Sequence, residues 1–164
     1  MARAAQAQPG SFYEFTLTSL EGEALPLAAW RGRPVLVVNT ASFCGYTPQF
    51  AGLQVLADRF AARGLVVLGV PSNDFNQEAG DASRVRAICD THFGITFPMA
   101  AIGHVRGPRA MPLFRWLAER GGGAPRWNFH KFLVARDGLA VRGFVTNVEP
   151  GSPGMLRAVD AALG

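Results

Sequence analysis

Two cysteines carry the chemistry this sequence could do. Cys44 stands between an aliphatic run, Val35-Leu36-Val37-Val38, and a stretch that opens at Pro48 and continues with Leu53, Leu56 and Phe60 at helical spacing. The thiol is therefore predicted at a strand-to-helix junction, near the backbone N–H groups that a helix N-terminus leaves unpaired. Such a place favours the thiolate, the nucleophilic form. A free thiol titrates near about 8.5, so a majority thiolate at neutral pH needs about 2.7 kcal/mol of stabilisation. A helix terminus supplies about 0.3 to 1 kcal/mol, up to about 2, and a hydrogen bond to a charged group about 1.5 to 3. Further donors beside Cys44 are required. The competing reading, a small buried hydrophobe, is the ordinary fate of a cysteine, and the strand-to-helix position weighs against it.

Cys44-Gly45-Tyr46-Thr47 has the spacing of a dithiol redox motif with Thr47 where the second cysteine would stand, which excludes a local dithiol exchange. Two cysteines as widely separated as Cys44 and Cys89 form neither a secreted disulfide scaffold nor a zinc site. They are inert core thiols or they do redox work. His92, His104 and His130 follow no metal-ligand or hydrolase spacing and read as surface or hydrogen-bonded side chains. No metal and no cofactor is implied.

The elements that would position Cys44 follow from periodicity. Val35–Val38 reads as a buried strand, a helix runs from Pro48 to Arg63 with Gly64 ending it, and Leu65–Val70 is a second buried strand. Apolar strands on both sides of a helix signify a parallel βαβ unit, with a right-handed crossover. Residues 71–80 form a loop, Asp81–Phe93 a second helix closed by Gly94, and Met111–Arg120 a third, leaving through Gly121-Gly122-Gly123. Phe132-Leu133-Val134, the turn Asp137-Gly138 and Val141–Val145 form a hairpin. A last helix starts at Ser152-Pro153 with Leu156, Val159 and Leu163 on one face. The order βαβ, helices, ββ, α is that of the α/β thioredoxin-like fold, a central mixed β-sheet flanked by helices in a three-layer α/β/α sandwich.

Val38-Asn39-Thr40-Ala41-Ser42-Phe43-Cys44-Gly45-Tyr46-Thr47-Pro48-Gln49-Phe50, Gly64 to Phe75, Thr96-Phe97-Pro98-Met99, Gly107-Pro108, Pro112-Leu113-Phe114 and Trp127 to Gly138 closely resemble the glutathione peroxidase family, over nearly the whole chain from Phe12. The resemblance implies a thiol peroxidase. It places a peroxidatic cysteine at Cys44 and its partners at Gln77, Trp127 and Asn128, whose amide and indole N–H groups are the donors that a thiolate demands. Both Trp127 and Asn128 can reach Cys44 only from irregular backbone ahead of the strand, because strand neighbours face opposite sides. The loop Asn73-Asp74-Phe75-Asn76-Gln77-Glu78-Ala79-Gly80 is one residue shorter than the family pattern and has Ala79 where proline is common, which puts Gln77 in question. Ser72 replaces a frequent cysteine without touching the catalytic set.

Members similar to this sequence are thioredoxin-dependent and use a cysteine in the second helix as resolver, which implies a Cys44–Cys89 disulfide formed after Cys44 becomes a sulfenic acid. The Cα atoms of a disulfide lie within about 7 Å, so that helix must partly unwind, as the weak helix formers Asp90, Thr91 and Gly94 permit. Thioredoxin is then the expected reductant, glutathione the alternative. Rival readings are a disulfide reductase, which lacks its second cysteine at Thr47, and a sensor module that passes a disulfide to a partner. The short chain between Phe114 and Trp127 implies loss of a tetramer-building segment, hence a monomer.

The composition narrows the rest. The 164 residues, 49% hydrophobic and 17% charged, suit a single domain over 1–164, with 1–10 expected to be flexible. The formal charge of +4 comes from arginines scattered from Arg3 to Arg157, with Lys131 the one lysine, which argues against nucleic acid. The longest apolar runs fall far short of the roughly 20 residues of a membrane span. A cytoplasmic location is expected, with a periplasmic one as the alternative should Ala2–Ala7 be what an export signal left.

Overall fold

A computed structural model describes residues 9–164. The expectation of a flexible segment 1–10 falls largely outside them. Where it is described, the chain is tied down, for the Trp116 indole N–H donates to the Pro9 carbonyl at 3.1 Å.

Short strands β1 (Thr16–Thr18) and β2 (Ala24–Pro26) pair antiparallel ahead of the first core strand, β3 (Val35–Thr40). Helix α1 (Gln49–Phe60) follows and continues as one 3-10 turn, Ala61–Arg63, that Gly64 ends at φ 106°. Strand β4 (Val66–Pro71) leads to α2 (Ala82–Ile88), whose N-cap Asp81 accepts the Arg84 N–H at 2.8 Å. The helix runs on as a π-turn, Cys89–Phe93, which Gly94 closes in the left-handed region at φ 59°. Then come α3 (Pro112–Gly121), β5 (Lys131–Val134), β6 (Val141–Phe144) and α4 (Pro153–Leu163), capped by Ser152.

The sheet order is β4-β3-β5-β6. β3 and β4 are parallel, as the apolar runs around α1 required, and β5 and β6 complete the sheet as an antiparallel hairpin. Every residue of β3 and β4 is buried, because both sheet faces are covered. Val35, Val37, Leu68 and Phe132 point into one core with Phe12, Leu113, Trp116 and Leu117, while Leu36, Val38, Val67 and Leu133 point into the other with Phe50, Leu53, Val85 and Val159. The period of two along β3 thus feeds both cores, and each large side chain so buried contributes about 1.5 to 3 kcal/mol. This is the thioredoxin-like fold: α1, α2 and α4 lie on one face and α3 on the other.

Three readings need correction. The β1–β2 hairpin has no counterpart among the expected elements, because three-residue strands are too short to show a period. Asp81–Phe93 is not one regular helix, since its last turn is π. On α4, Leu156 is half-buried while Met155 and Ala158 join Val159 and Leu163 in the core, because the helix is rotated so that Met155 faces the sheet. Among the described residues no helix is long and apolar enough to cross a membrane.

Candidate active site

Where β3 ends, residues 41–48 make successive turns before α1 begins at Gln49. Thr47 organises them. Its hydroxyl accepts the Cys44 N–H at 2.9 Å and donates to the Ala41 carbonyl at 2.9 Å, while its own N–H bonds the Cys44 carbonyl at 3.0 Å. The residue at the second position of the redox spacing thus serves as a buried clamp. Cys44 is 8% exposed, and its Sγ accepts the Tyr46 N–H at 3.4 Å. The turn sets Cys44 five residues before α1, so the nearest N–H donor belongs to this turn and not to the helix N-terminus, which corrects the sequence expectation.

Gln77 reaches this loop in two ways. Its carbonyl accepts the Phe43 N–H at 2.9 Å, and its side-chain oxygen accepts Asn128 Nδ2 at 2.9 Å. The second bond leaves the Gln77 amide N–H groups as donors. The shortened loop reaches the site because Asn76 turns it at φ 61° and bonds back to the Asn73 carbonyl at 2.9 Å. Asp74 anchors its start, accepting from Val105 N–H at 2.8 Å and pairing with His104 Nδ1 at 2.7 Å.

Trp127 and Asn128 do precede β5 in irregular backbone, with Phe129 at φ 60°. The segment is stitched to the end of β3: Asn39 Nδ2 donates to the Trp127 carbonyl at 2.9 Å, and the Phe129 N–H to the Asn39 carbonyl at 2.7 Å. Asn128 is fully buried and its carbonyl accepts the Thr146 hydroxyl at 2.7 Å. Trp127 is 38% exposed and packs on Phe75, ring centroids 5.2 Å apart, with the Arg106 guanidinium 4.0 Å from the Phe75 centroid. Gln77 and Asn128 are therefore in contact, and Gln77 is bonded to the residue before Cys44. Among the described residues the donor to Sγ is the Tyr46 N–H, not the Gln77, Asn128 or Trp127 side chain.

Cys89 opens the π-turn, fully buried in the same core as Cys44, and both thiols are free. Burial pushes its thiol up to about 11; the charge of Arg86 opposes this and those of Glu78 and Asp90 add to it. A cleft of about 480 Å³ lined by Ser42, Phe43, Thr47, Ile88, His92 and Phe93 lies between the Cys44 loop and the helix that carries Cys89.

The histidine reading holds for two of three. His92 is exposed and His104 pairs with Asp74. His130 is neither on the surface nor satisfied: it is buried, neither ring nitrogen has a partner among the described residues, and burial with the charges of Lys131 and Arg126 pulls its pKa down to about 4. Lys131 beside it is fully buried, donates to the carbonyls of Phe129 at 2.7 Å and Thr146 at 3.0 Å, and is pushed down to about 8 by burial. Lys131 opens β5, which is paired on both edges, and His130 stands immediately before it. Glu78 was also overlooked, a carboxylate 8% exposed whose Oε1 accepts the N–H groups of Ser42 at 3.1 Å and Ala79 at 2.7 Å. Among the described residues no three His, Cys, Asp or Glu side chains cluster as a metal site would require.

The family model for glutathione peroxidase matches residues 12–118. A "Glutathione peroxidase" of Lactococcus lactis subsp. cremoris is 40% identical over 145 residues, covering 85% of this chain and 92% of its own length. A "Hydroperoxy fatty acid reductase gpx1" of Synechocystis sp. is 41% identical over 151 residues, covering 85% and 89%. A "Glutathione peroxidase-like peroxiredoxin GPX5" of Chlamydomonas reinhardtii is 41% identical over 146 residues, covering 86% and 90%. The crystal structure of Trgpx in apo form superposes with a TM-score of 0.76 at 30% identity, covering 93% of this chain and 95% of that one.

Proposed function

The chain belongs to the glutathione peroxidase family and is a peroxidase, an oxidoreductase that reduces hydroperoxides, and on that premise we propose that Cys44 is its nucleophile, with Gln77, Trp127 and Asn128 as donors and Cys89 as the resolving thiol. The Cys44 thiolate attacks a peroxide oxygen, water or an alcohol leaves, and the sulfur becomes a sulfenic acid. Cys89 then condenses with it, water leaves, and an intramolecular disulfide remains for thioredoxin to reduce. Hydrogen peroxide and organic hydroperoxides are the substrate class, and the name of the Synechocystis relative adds fatty acid hydroperoxides to it. We read the protein as one domain over 1–164, a monomer, and cytoplasmic, where thiols are kept reduced.

The observation that carries this reading is the Asn128–Gln77 hydrogen bond beside the Cys44 loop. Two loops distant in sequence meet through side chains of no use to core packing, and the bond is oriented so that the Gln77 amide still has N–H groups to donate. The π-turn supports the resolver role, because π segments inside helices mark irregular, frequently functional places.

One observation favours a second reading. Cys89 is fully buried with its thiol pushed up, as an inert packing cysteine would be, and the enzyme would then turn over on glutathione with Cys44 alone. NADPH-coupled peroxide turnover decides between them, run with thioredoxin and its reductase and again with glutathione, on the native protein, Cys44→Ser and Cys89→Ser. Thioredoxin-supported turnover lost in both variants is the expected result. Full thioredoxin turnover in Cys89→Ser removes the resolver, and loss of turnover with both reductants in the native protein removes the turnover mechanism.

A further inference from the structure

Glu78 has an arrangement that loop anchoring does not explain. Its Oε1 satisfies two backbone N–H groups, of Ser42 and Ala79, and the Ser42 side chain lies beside the carboxylate and lowers its pKa, whereas its Oε2 is buried and accepts no hydrogen bond of good geometry among the described residues. A desolvated carboxylate oxygen without a donor is costly and uncommon. The side chain is more than nine-tenths buried and is fixed to the stretch that carries the nucleophile, through the Ser42 N–H and, one residue back, through the Gln77 carbonyl to the Phe43 N–H. Its neighbour Ala79 packs in the core that holds both cysteines, and the Glu78 charge acts on the Cys89 thiol. A thiol that leaves the π-turn to reach Cys44 has to arrive beside the loop that Glu78 holds.

Resting on the proposal that Cys89 resolves the sulfenic acid, we infer that Glu78 is the proton carrier of that step. Its carboxylate takes the proton from Cys89 Sγ–H as the sulfur attacks Cys44 Sγ. The S–S bond forms while the S–O bond of the sulfenic acid breaks. The same proton passes from Glu78 to the departing hydroxide, which leaves as water. Cys89 supplies the electron pair, Cys44 is reduced from sulfenic acid to disulfide level as Cys89 is oxidised to it, and Glu78 ends as it began.

The electrostatics agree with the geometry. Burial raises the Glu78 carboxyl above its ordinary value, which makes the carboxylate a stronger base. It also makes the thiol, pushed up to about 11, a group in need of one. The charges facing Cys89 are Glu78, Asp90 and Arg86, and Arg86 is itself engaged by Glu21 at 2.6 Å and Asp90 at 3.5 Å. Of the two acids, Asp90 is exposed and committed to Arg86, which leaves Glu78 as the buried base.

The test separates the two half-reactions. Reduced full-length protein is mixed with one equivalent of hydrogen peroxide, and sulfenic acid, trapped with dimedone, and the Cys44–Cys89 disulfide are followed by mass spectrometry. In Glu78→Gln, which keeps an oxygen acceptor for Ser42 and Ala79, the expected change is confined to the second step: disulfide formation slows about a hundredfold and sulfenic acid accumulates. The pH profile changes as well, for the native rate rises through the raised carboxyl range to a plateau, whereas the variant keeps only the alkaline rise set by Cys89. Disulfide formation at the native rate in the variant overturns the inference while the resolver stands. A native protein that forms no disulfide overturns the resolver instead, and the inference with it. Should the variant fail to fold, the native profile decides, and a rate independent of pH across the acid-to-neutral range overturns the role of Glu78.

Discussion

The Thr47 hydroxyl lies 2.9 Å from the Cys44 amide nitrogen and 2.9 Å from the Ala41 carbonyl, bridging the residue that holds the sulfur to the end of β3. The second position of the redox spacing has become a structural clamp, and the clamp sets which donors Sγ meets.

Thr47→Val, which keeps the shape and removes the hydroxyl, leaves the Cys44 N–H buried and unpaired. The expected cost is about 1 to 3 kcal/mol of stability together with slower oxidation of Cys44 by peroxide, while Thr47→Ser keeps both near native. Urea unfolding and stopped-flow peroxide reduction measure the two effects.

Asn128 and Gln77 form one unit with two ends. Asn128→Ala and Gln77→Ala are each expected to slow Cys44 oxidation by about 10²- to 10³-fold, the usual effect of losing a positioned donor. Because they share a 2.9 Å bond, the double variant loses less than the product of the singles. A double-mutant cycle on the second-order rate reads that coupling, and strictly multiplicative losses would refute it.

Arg106 and Phe75 hold Trp127 from behind. Arg106→Ala is expected to lower turnover several-fold without changing the cysteine chemistry and to increase the accessibility of Trp127 to acrylamide quenching. Unchanged quenching alongside lowered turnover would place the effect of Arg106 elsewhere.

His130 makes stability depend on pH. Its folded pKa, about 4, lies below the unfolded value of about 6.5, so the unfolded chain takes up the proton first. Its neutral-pH contribution is intact above about pH 6.5 and is lost as pH falls toward 4. Glu78, whose carboxyl is raised by burial, works in the opposite sense. The quantity to measure is therefore the difference in urea midpoint between native protein and His130→Leu, which should shift in favour of the variant as pH drops.

Cys89 is expected to resist alkylation in the reduced native protein, being fully buried with a thiol near 11, while Cys44 reacts. Mass spectrometry after brief iodoacetamide treatment should show label on Cys44 alone, and on both thiols after unfolding in urea. Equal labelling of the folded protein would show that the π-turn opens too readily for its burial to matter.

Much of this architecture was legible in the residues. Val35–Val38 and Leu65–Val70 have no polar side chain to give either face to water, so they could only be central strands with α1 between them. Gly64 and Gly94 end their helices where the period stops. What escaped detection has physical reasons. Cys89 to Phe93 have the composition of any weak helix end, and only the hydrogen-bond pattern distinguishes a π-turn from an α-turn. The burial of Lys131, and of His130 just ahead of it, goes with β5 being paired on both edges, a long-range fact. The roles of Gln77, Trp127 and Asn128 came from resemblance, since each residue alone is unremarkable, and their convergence depends on Phe129 and Asn76 turning the chain at positive φ.

The antiparallel register that joins Val35 to Val134 and Val38 to Lys131 also orders events during synthesis. Cys44 leaves the ribosome long before Trp127 and Asn128 exist, and the segment that carries these two is stitched to Asn39 only once β5 docks on β3. Until then the Cys44 loop lacks the Asn128–Gln77 bond beside it. The same pairing that completes the sheet thus acts as a time lock on that bond, which closes only when the last core strands are in place.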